Sequence, residues 1–253
     1  MPCILPTLTG GLGNVLFGLS SAYGMARTSN IQFFINILQY RPSHHSSTSY
    51  FENLLQKWKM FHNSIRPNSV HSEYKLHPVR ININQNDVIT VNGYLQNFRY
   101  FWEYKQDIYN LLSFDTSVAS AYTKLDESAF IHVRGGDYVG HPLHHVDLLT
   151  YYASAIKTVN APHYYVFTND VGYLNTQPWL RDINYTVVNE NEVDSLYLMS
   201  QCKKGAICAN STFSWWGAVL NTDRIITLPS KWFNNPEYYI EGYFFPGATI
   251  VSV

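Results

Sequence analysis

From residue 129 onward, short apolar runs alternate with longer amphipathic ones, and this alternation limits the possible folds more than any other feature of the chain. Residues 129–134, 163–168, 183–188, 206–209 and 224–228 have the length and the β-branched and aromatic content of strands. Between them, residues 148–159 place Leu149, Tyr152, Ile156 and Val159 on one helical face, and helices are predicted over 193–202 and from Asn210 to Leu220. Strand and helix in turn mean βαβ units and a parallel sheet. Ligands of such sheets bind beyond the carboxyl ends of the strands. Three successive strands end in polar residues: His132, Arg134 and Asp137, then Asn169 and Asp170, then Asn210, Ser211 and Thr212. Each group has a plainer reading, as a structural ion pair, a core histidine or a helix cap. Their coincidence favours a site.

The first half is less regular. Residues 4–9 read as a strand, followed by Gly10-Gly11-Leu12-Gly13-Asn14 and an apolar stripe at Leu16, Leu19, Tyr23 and Ala26 with helical spacing. Glycines let a ligand approach the backbone, and a helix N-terminus attracts anions. The turn lacks both the full GxGxxG and the Lys-Ser/Thr of a P-loop, so a nucleotide-approach turn and a plain packing turn are equally open. Further strands are predicted over 31–35 and 87–91, a short helix over 50–58, loops over 41–48 and 61–86, and a helical stretch over 94–112 whose aromatics belong to a core. A boundary near residues 113–125 divides the chain into domains 1–115 and 116–253.

With 46% hydrophobic and 14% charged residues, the 253-residue chain buries a sizeable core. Its net charge of −1 argues against a nucleic-acid partner, because phosphate contacts need a basic surface. Cys3, Cys202 and Cys208 fit neither a disulfide framework nor a zinc cluster. No apolar run reaches membrane-spanning length and the N-terminus is unlike a signal peptide, so the expectation is a soluble, cytoplasmic protein without stable membrane insertion. No metal is expected: Asp-x-Asp is absent, and His141, His144, His145 and Asp147 fall in a loop with Gly140 and Pro142. No GxSxG elbow marks a serine hydrolase.

What the three polar clusters suit is a diphosphate. Ser211 or Thr212 at a helix N-cap, with the free amides behind it, forms an uncharged cradle, and Arg134 adds a planar fork matched to phosphate. Asp170 suits a base edge or ribose, and His132 a purine carbonyl or nitrogen.

The motifs in order resemble the α-1,2-fucosyltransferases of glycosyltransferase family 11. GGLGNVLFGLSSAYGMA is similar to the family's N-terminal signature, HVRGGDYV to its first donor-site motif, HYYVFTND to its second, and DSLYLMSQCKKGAICANSTFSWWGAVLN to its third. GYLQNFRYF, YYASAI and LPSKWF are similar as well, so the resemblance covers nearly the whole chain. It implies a GT-B architecture, two Rossmann-like domains facing across a cleft, with residues 1–115 on the acceptor side and 116–253 binding GDP-fucose. It further implies inverting, metal-independent transfer of L-fucose from GDP-β-L-fucose to the 2-hydroxyl of a terminal galactose in a glycan. By motif position Arg134 binds the β-phosphate, and His132 and Asp170 recognise guanosine. Ser211, Thr212 and Phe213 hold phosphate and fucose, Asn210 belongs to the same donor site, and Gly11, Gly13 and Asn14 contribute from the first domain. Asp137 is the first candidate for general base by motif, with anchoring of Arg134 its other reading and His144 or His145 as alternatives. Two departures stand out: Gly135 replaces the family's usual second arginine, and Val15 its usual glutamine. Gly135, with the 16% aromatic content, keeps open a catalytically silent sugar-nucleotide or glycan-binding protein, and a fucosyltransferase of other linkage is a rival within enzymes. A nicotinamide enzyme built on the glycine turn is the weakest rival.

Overall fold

The computed structural model of the chain describes residues 1–40 and 50–253, and the loop expected over 41–48 lies outside the described residues. The chain forms two compact units, Met1–Phe114 with Glu237–Tyr243, and Asp115–Pro236 with Phe244–Val253. Residues 237–243, assigned by sequence to the second domain, thus belong to the first unit. Phe98 donates its N–H to the Gly242 carbonyl at 3.0 Å, Arg99 Nη1 donates to Tyr239 Oη at 2.9 Å, and the Tyr243 hydroxyl bonds to Gln96 Oε1.

The first unit contains β1 (Cys3–Pro6), α1 (Leu12–Thr28), β2 (Gln32–Phe33), β3 (Ser69–Ser72), β4 (Val88–Asn92) and α2 (Lys105–Asn110). Its strands are all parallel, in the order β2-β1-β4-β3. Helix α1 is the centre of this unit, buried from Leu12 to Ala26 except at Asn14. A helix that is apolar or small on every side is a core helix. Its small residues let neighbours approach: a Cβ on Gly24 would lie 2.0 Å from the Tyr100 carbonyl oxygen. Tyr23 meets Phe33, Trp58 and Phe61 edge-on. Packing on α1 also explains two departures from expectation. Residues 50–58 and 94–112 form mainly 3-10 turns, at Tyr50–Glu52, Gln56–Phe61, Phe98–Tyr100 and Trp102–Tyr104, with only α2 as true α-helix. Anchoring one bulky aromatic after another overrides regular helical spacing. Strand β3, inside the stretch read as loop, is held by its parallel ladder to β4.

The second unit follows the predicted alternation: β5 (Ser128–Val133), α3 (Leu149–Val159), β6 (His163–Thr168), α4 (Val171–Leu174), β7 (Tyr185–Val187), α5 (Glu192–Gln201), β8 (Gly205–Ile207), α6 (Thr212–Val219) and β9 (Ile225–Pro229). A further strand, β10 (Ala248–Val251), extends the sheet beyond the predicted series by pairing with β9. The order is β10-β9-β8-β5-β6-β7, all parallel. Strand β5 is buried along its whole length, as a central parallel strand must be. The chain runs outward from β5 through β6 to β7, then crosses back to β8 on the other side and runs outward again. That reversal beside β5 is the topological switch point, where such sheets bind ligands.

Candidate active site

The register of the second sheet brings the polar strand ends together. Val133 pairs with Thr168 and Ile131 with Ile207, so the same rows continued past the strands hold Arg134, Asn169 and Asn210. All three follow adjacent strands at the switch point.

His132 is the last inward-facing polar residue of β5. It is buried, its Nδ1 has no hydrogen-bond partner, and its ring lies 5.6 Å from that of Phe213 at a 58° tilt. Burial, helped by the nearby Arg134 charge, pushes its pKa down to about 3. It is therefore a neutral imidazole at physiological pH, suited to hydrogen bonding rather than to carrying charge. Its carbonyl accepts from the Tyr152 hydroxyl at 2.8 Å, which ties β5 to α3.

Arg134 donates from Nη2 to Asp137 Oδ1 at 2.7 Å, and its guanidinium lies over the Tyr138 ring at 5.0 Å. Its Nε is buried without a partner. Asp137 thus anchors Arg134 through one oxygen.

The loop after β5 is locked to the loop after β6. Gly135 N–H donates to Asn169 Oδ1 and Gly136 N–H to Asp170 Oδ2, both at 2.9 Å, while Asp170 Oδ1 accepts from Tyr173 N–H to cap α4. These backbone donors hold the Asp170 carboxyl below the ordinary carboxylate range. Both oxygens of Asp170 therefore already serve the scaffold. Gly135 is confined by the same lock: a Cβ there would stand 2.7 Å from Asp170 Cβ and 3.0 Å from Tyr173 Cδ1. With the loops in this position, no side chain fits where the family's second arginine usually stands.

Asn210 is buried and donates from Nδ2 to the carbonyls of His144 at 3.0 Å and Trp232 at 2.9 Å. It braces the loops around the site. Ser211 is the N-cap of α6 yet makes no side-chain capping bond, so its hydroxyl is not committed to the role that the plainer reading gave it. Thr212 and Phe213 begin the helix, and no acidic residue stands in its first turn, which leaves the amide end attractive to an anion.

In the first unit, Gly11 is the N-cap of α1 while Gly13 and Asn14 lie in its first turn, again without an acidic residue. Asn14 Oδ1 accepts from Gln96 Nε2 at 2.8 Å. Among the described residues, no group of three or more His, Cys, Asp or Glu is placed to hold a metal ion, and no helix is long and apolar enough to cross a membrane. Cys3, Cys202 and Cys208 are free and buried.

Sequence reasoning singled out Arg134 and Asp137 but passed over Tyr138, which follows them directly and supplies the face under the guanidinium. Its place in the motif was the available signal. Asn169 was noticed as a strand end; its role as partner of Gly135 shows only in three dimensions.

Two Rossmann-like parallel-sheet units in one chain, with an arginine and an uncapped helix N-terminus at the switch point of the second, define an α/β protein of the GT-B class. Fucosyltransferase NodZ from Bradyrhizobium shares this fold, with a TM-score of 0.59, 11% identity and coverage of 88% of this chain and 94% of that one. The sequence model of glycosyl transferase family 11 matches residues 91–244. The chain belongs to that family. Two Escherichia coli proteins are similar in sequence. The O-antigen biosynthesis glycosyltransferase WbnK is 39% identical over 117 residues, covering 41% of this chain and 38% of that protein. An alpha-1,2-colitosyltransferase is 32% identical over 178 residues, covering 62% of this chain and 61% of its own. The match therefore spans less than two thirds of either relative.

Proposed function

We propose that this chain is an inverting glycosyltransferase that moves L-fucose from GDP-β-L-fucose to the 2-hydroxyl of a terminal galactose in a glycan, without a metal ion. The observation that carries the reading is that Arg134 and the N-terminus of α6 follow the adjacent strands β5 and β8 at the switch point of the second sheet. A departing nucleoside diphosphate gains negative charge as the glycosidic bond breaks. A guanidinium and a fixed row of amides meet that charge where it develops, which stabilises the transition state more than the ground state. Arg134 takes the β-phosphate, and Ser211 and Thr212 hold phosphate oxygens. Phe213 lies against the fucose and the neutral His132 bonds the guanine. Asp170 and Asn210 fix the loops that carry these groups. Asp137 keeps Arg134 in place.

The linkage is supported by the relative named as an alpha-1,2-colitosyltransferase, and the donor by a solved structure of NodZ alpha-1,6-fucosyltransferase soaked with GDP-fucose, TM-score 0.56 at 12% identity. The first of these names also favours a second reading, in which the transferred sugar is colitose.

The test is calorimetric titration of GDP-fucose into wild type and Arg134→Ala in EDTA, followed by addition of lactose and NMR of the product. Expected are binding in the wild type, about 100-fold weaker binding in the variant, and an α-1,2 fucosyl linkage. Binding without transfer to a panel of galactosides, or transfer only from GDP-colitose, overturns the fucosyltransferase reading. A product with another linkage overturns the 2-hydroxyl assignment, and dependence on an added divalent ion overturns the metal-free mechanism.

A further inference from the structure

Arg134 belongs to a layered contact that the donor reading does not use. Below its guanidinium, the Tyr138 ring stacks on the His144 imidazole with centroids 4.8 Å apart and planes 23° apart. His144 in turn meets Phe233 edge-on at 5.5 Å and His141 at 4.6 Å. The loop that carries these rings is fixed at several points. Asn210 Nδ2 holds the His144 carbonyl, Gly140 N–H donates to His145 Nδ1 at 2.9 Å, and Asn234 Nδ2 donates to the His145 carbonyl at 2.9 Å. Arg134, Tyr138 and His144 line one pocket, and Arg134 Nε and His144 Nδ1 are each buried without a partner.

We propose that Tyr138 and His144 are positioning residues for Arg134, the two stacked rings forming a flat wall that sets where the guanidinium meets the donor phosphates. The inference rests on Arg134 being the phosphate-binding residue. A guanidinium attached only through Asp137 can swing about that contact. Adding a ring face restricts its plane as well, and orientation at the reacting group is what a charge-stabilising contact depends on.

The wall works while His144 is neutral. Burial, with the His141 and Arg134 charges, holds its pKa below the ordinary value, against an opposite pull from Asp137. Tyr152, Tyr173 and His145 line the same pocket, and the His141 ring packs against that of His144. A proton on His144 places a second cation behind the ring that Arg134 covers. Donor binding therefore weakens on acidification, and His132, with its pKa near 3, takes no part in that window.

The experiment is calorimetric titration of GDP-fucose into the full chain at about pH 7.5 and in steps through and below the ordinary imidazole range, to about pH 4.5, with Arg134→Ala as reference. Tyr138→Ala and His144→Ala are expected to bind about tenfold more weakly at the higher pH, while Tyr138→Phe and His144→Phe, which keep a ring face, recover most of that loss. Wild type is expected to lose affinity on acidification and His144→Phe to lose much less, a difference that a purely structural role would not produce. Near-ultraviolet circular dichroism checks folding, and the two Phe variants carry the test if an Ala variant unfolds. Failure of wild type to bind GDP-fucose, or unchanged binding by Arg134→Ala, overturns the donor-site reading and this inference with it. Binding lost in Arg134→Ala but unchanged in Tyr138→Ala and His144→Ala overturns the inference alone, as does equal acid loss in wild type and His144→Phe.

Discussion

The carboxyl ends of the two sheets use acidic side chains in opposite ways. In the second unit, Asp170 accepts from the backbone N–H groups of Gly136 and Tyr173, and its carboxyl is held below the ordinary range. In the first, Glu73, just after β3, accepts from the N–H groups of Tyr94 and Leu95 through Oε2, both at 3.0 Å, yet burial pushes its pKa up to about 7. Both acids accept from backbone amides, and the sign differs because the desolvation of Glu73 outweighs its hydrogen bonds, whereas that of Asp170 does not. The surroundings differ in the same sense. In the first unit, polar groups near these strand ends are cross-linked, Ser21 to the Leu95 carbonyl at 2.7 Å and Gln96 to both Asn14 and Tyr243. In the second, His132 Nδ1 and Arg134 Nε have no partner and Ser211 makes no side-chain cap bond. Glu73 Oε1 is also buried without a partner, so the first carboxyl end is framework around that one acid, whereas the second keeps several polar groups in reserve.

The contrast breaks most sharply at two glycines. Gly24→Ala in α1 drives a Cβ to 2.0 Å from the Tyr100 carbonyl oxygen and 2.7 Å from Phe101 Cα, backbone atoms that have no rotamer to escape into. A loss of at least about 3 kcal/mol is expected, read as a fall in the urea midpoint or as failure to fold. Near-wild-type stability there would mean that α1 is packed more loosely than the framework description requires. Gly135→Ala should cost less, about 1–3 kcal/mol, because the atoms it meets belong to the Asp170 and Tyr173 side chains. Its larger signature should be in GDP-fucose affinity, since moving Asp170 releases the Gly136 amide and the loop that carries Arg134. A variant that loses stability while binding the donor as tightly as wild type would show that the two loops are not coupled.

How much of this was legible in the sequence depended on whether a residue's role follows from its own chain neighbours. Strand β5 was legible because a fully buried central strand is a continuous apolar run, and Arg134 because it stands at the end of that run. Helix α6 was legible because Asn210-Ser211-Thr212 precedes an apolar stretch. Strand β3 was not: Ser69-Val70-His71-Ser72 has no apolar alternation, and its pairing with β4 comes from a segment nearly twenty residues away. Asp170 was visible as a polar strand end, but its role as a clamp comes from pairing the local Tyr173 amide of α4 with the Gly136 amide of the loop after β5, 34 residues away. Residues 237–243 are far from the first unit in sequence and join it through Gln96, Phe98 and Arg99.

The smallest expected effect separates the two acids directly. For Glu73 the folded state favours the protonated carboxyl, its pKa rising from 4.5 to about 7. Its contribution to stability is therefore fully present below about pH 4.5 and is lost as pH rises through about 7. Asp170 has the opposite sign: its contribution is present above its unfolded pKa and is lost as pH falls through the lowered folded one. The full Glu73 shift would correspond to about 3 kcal/mol, and partial exposure of the side chain reduces the expected loss between about pH 5 and about pH 8 to about 2 kcal/mol. Glu73→Gln removes the titrating group while keeping an oxygen for the Tyr94 and Leu95 amides. Urea unfolding of both proteins at the two pH values measures the difference, and the variant should lose less stability than wild type as pH rises. Equal losses in the two proteins would place the Glu73 carboxylate in water. The carboxyl ends of the two sheets would then treat their acids alike, and the division into framework and reserve would rest on packing alone.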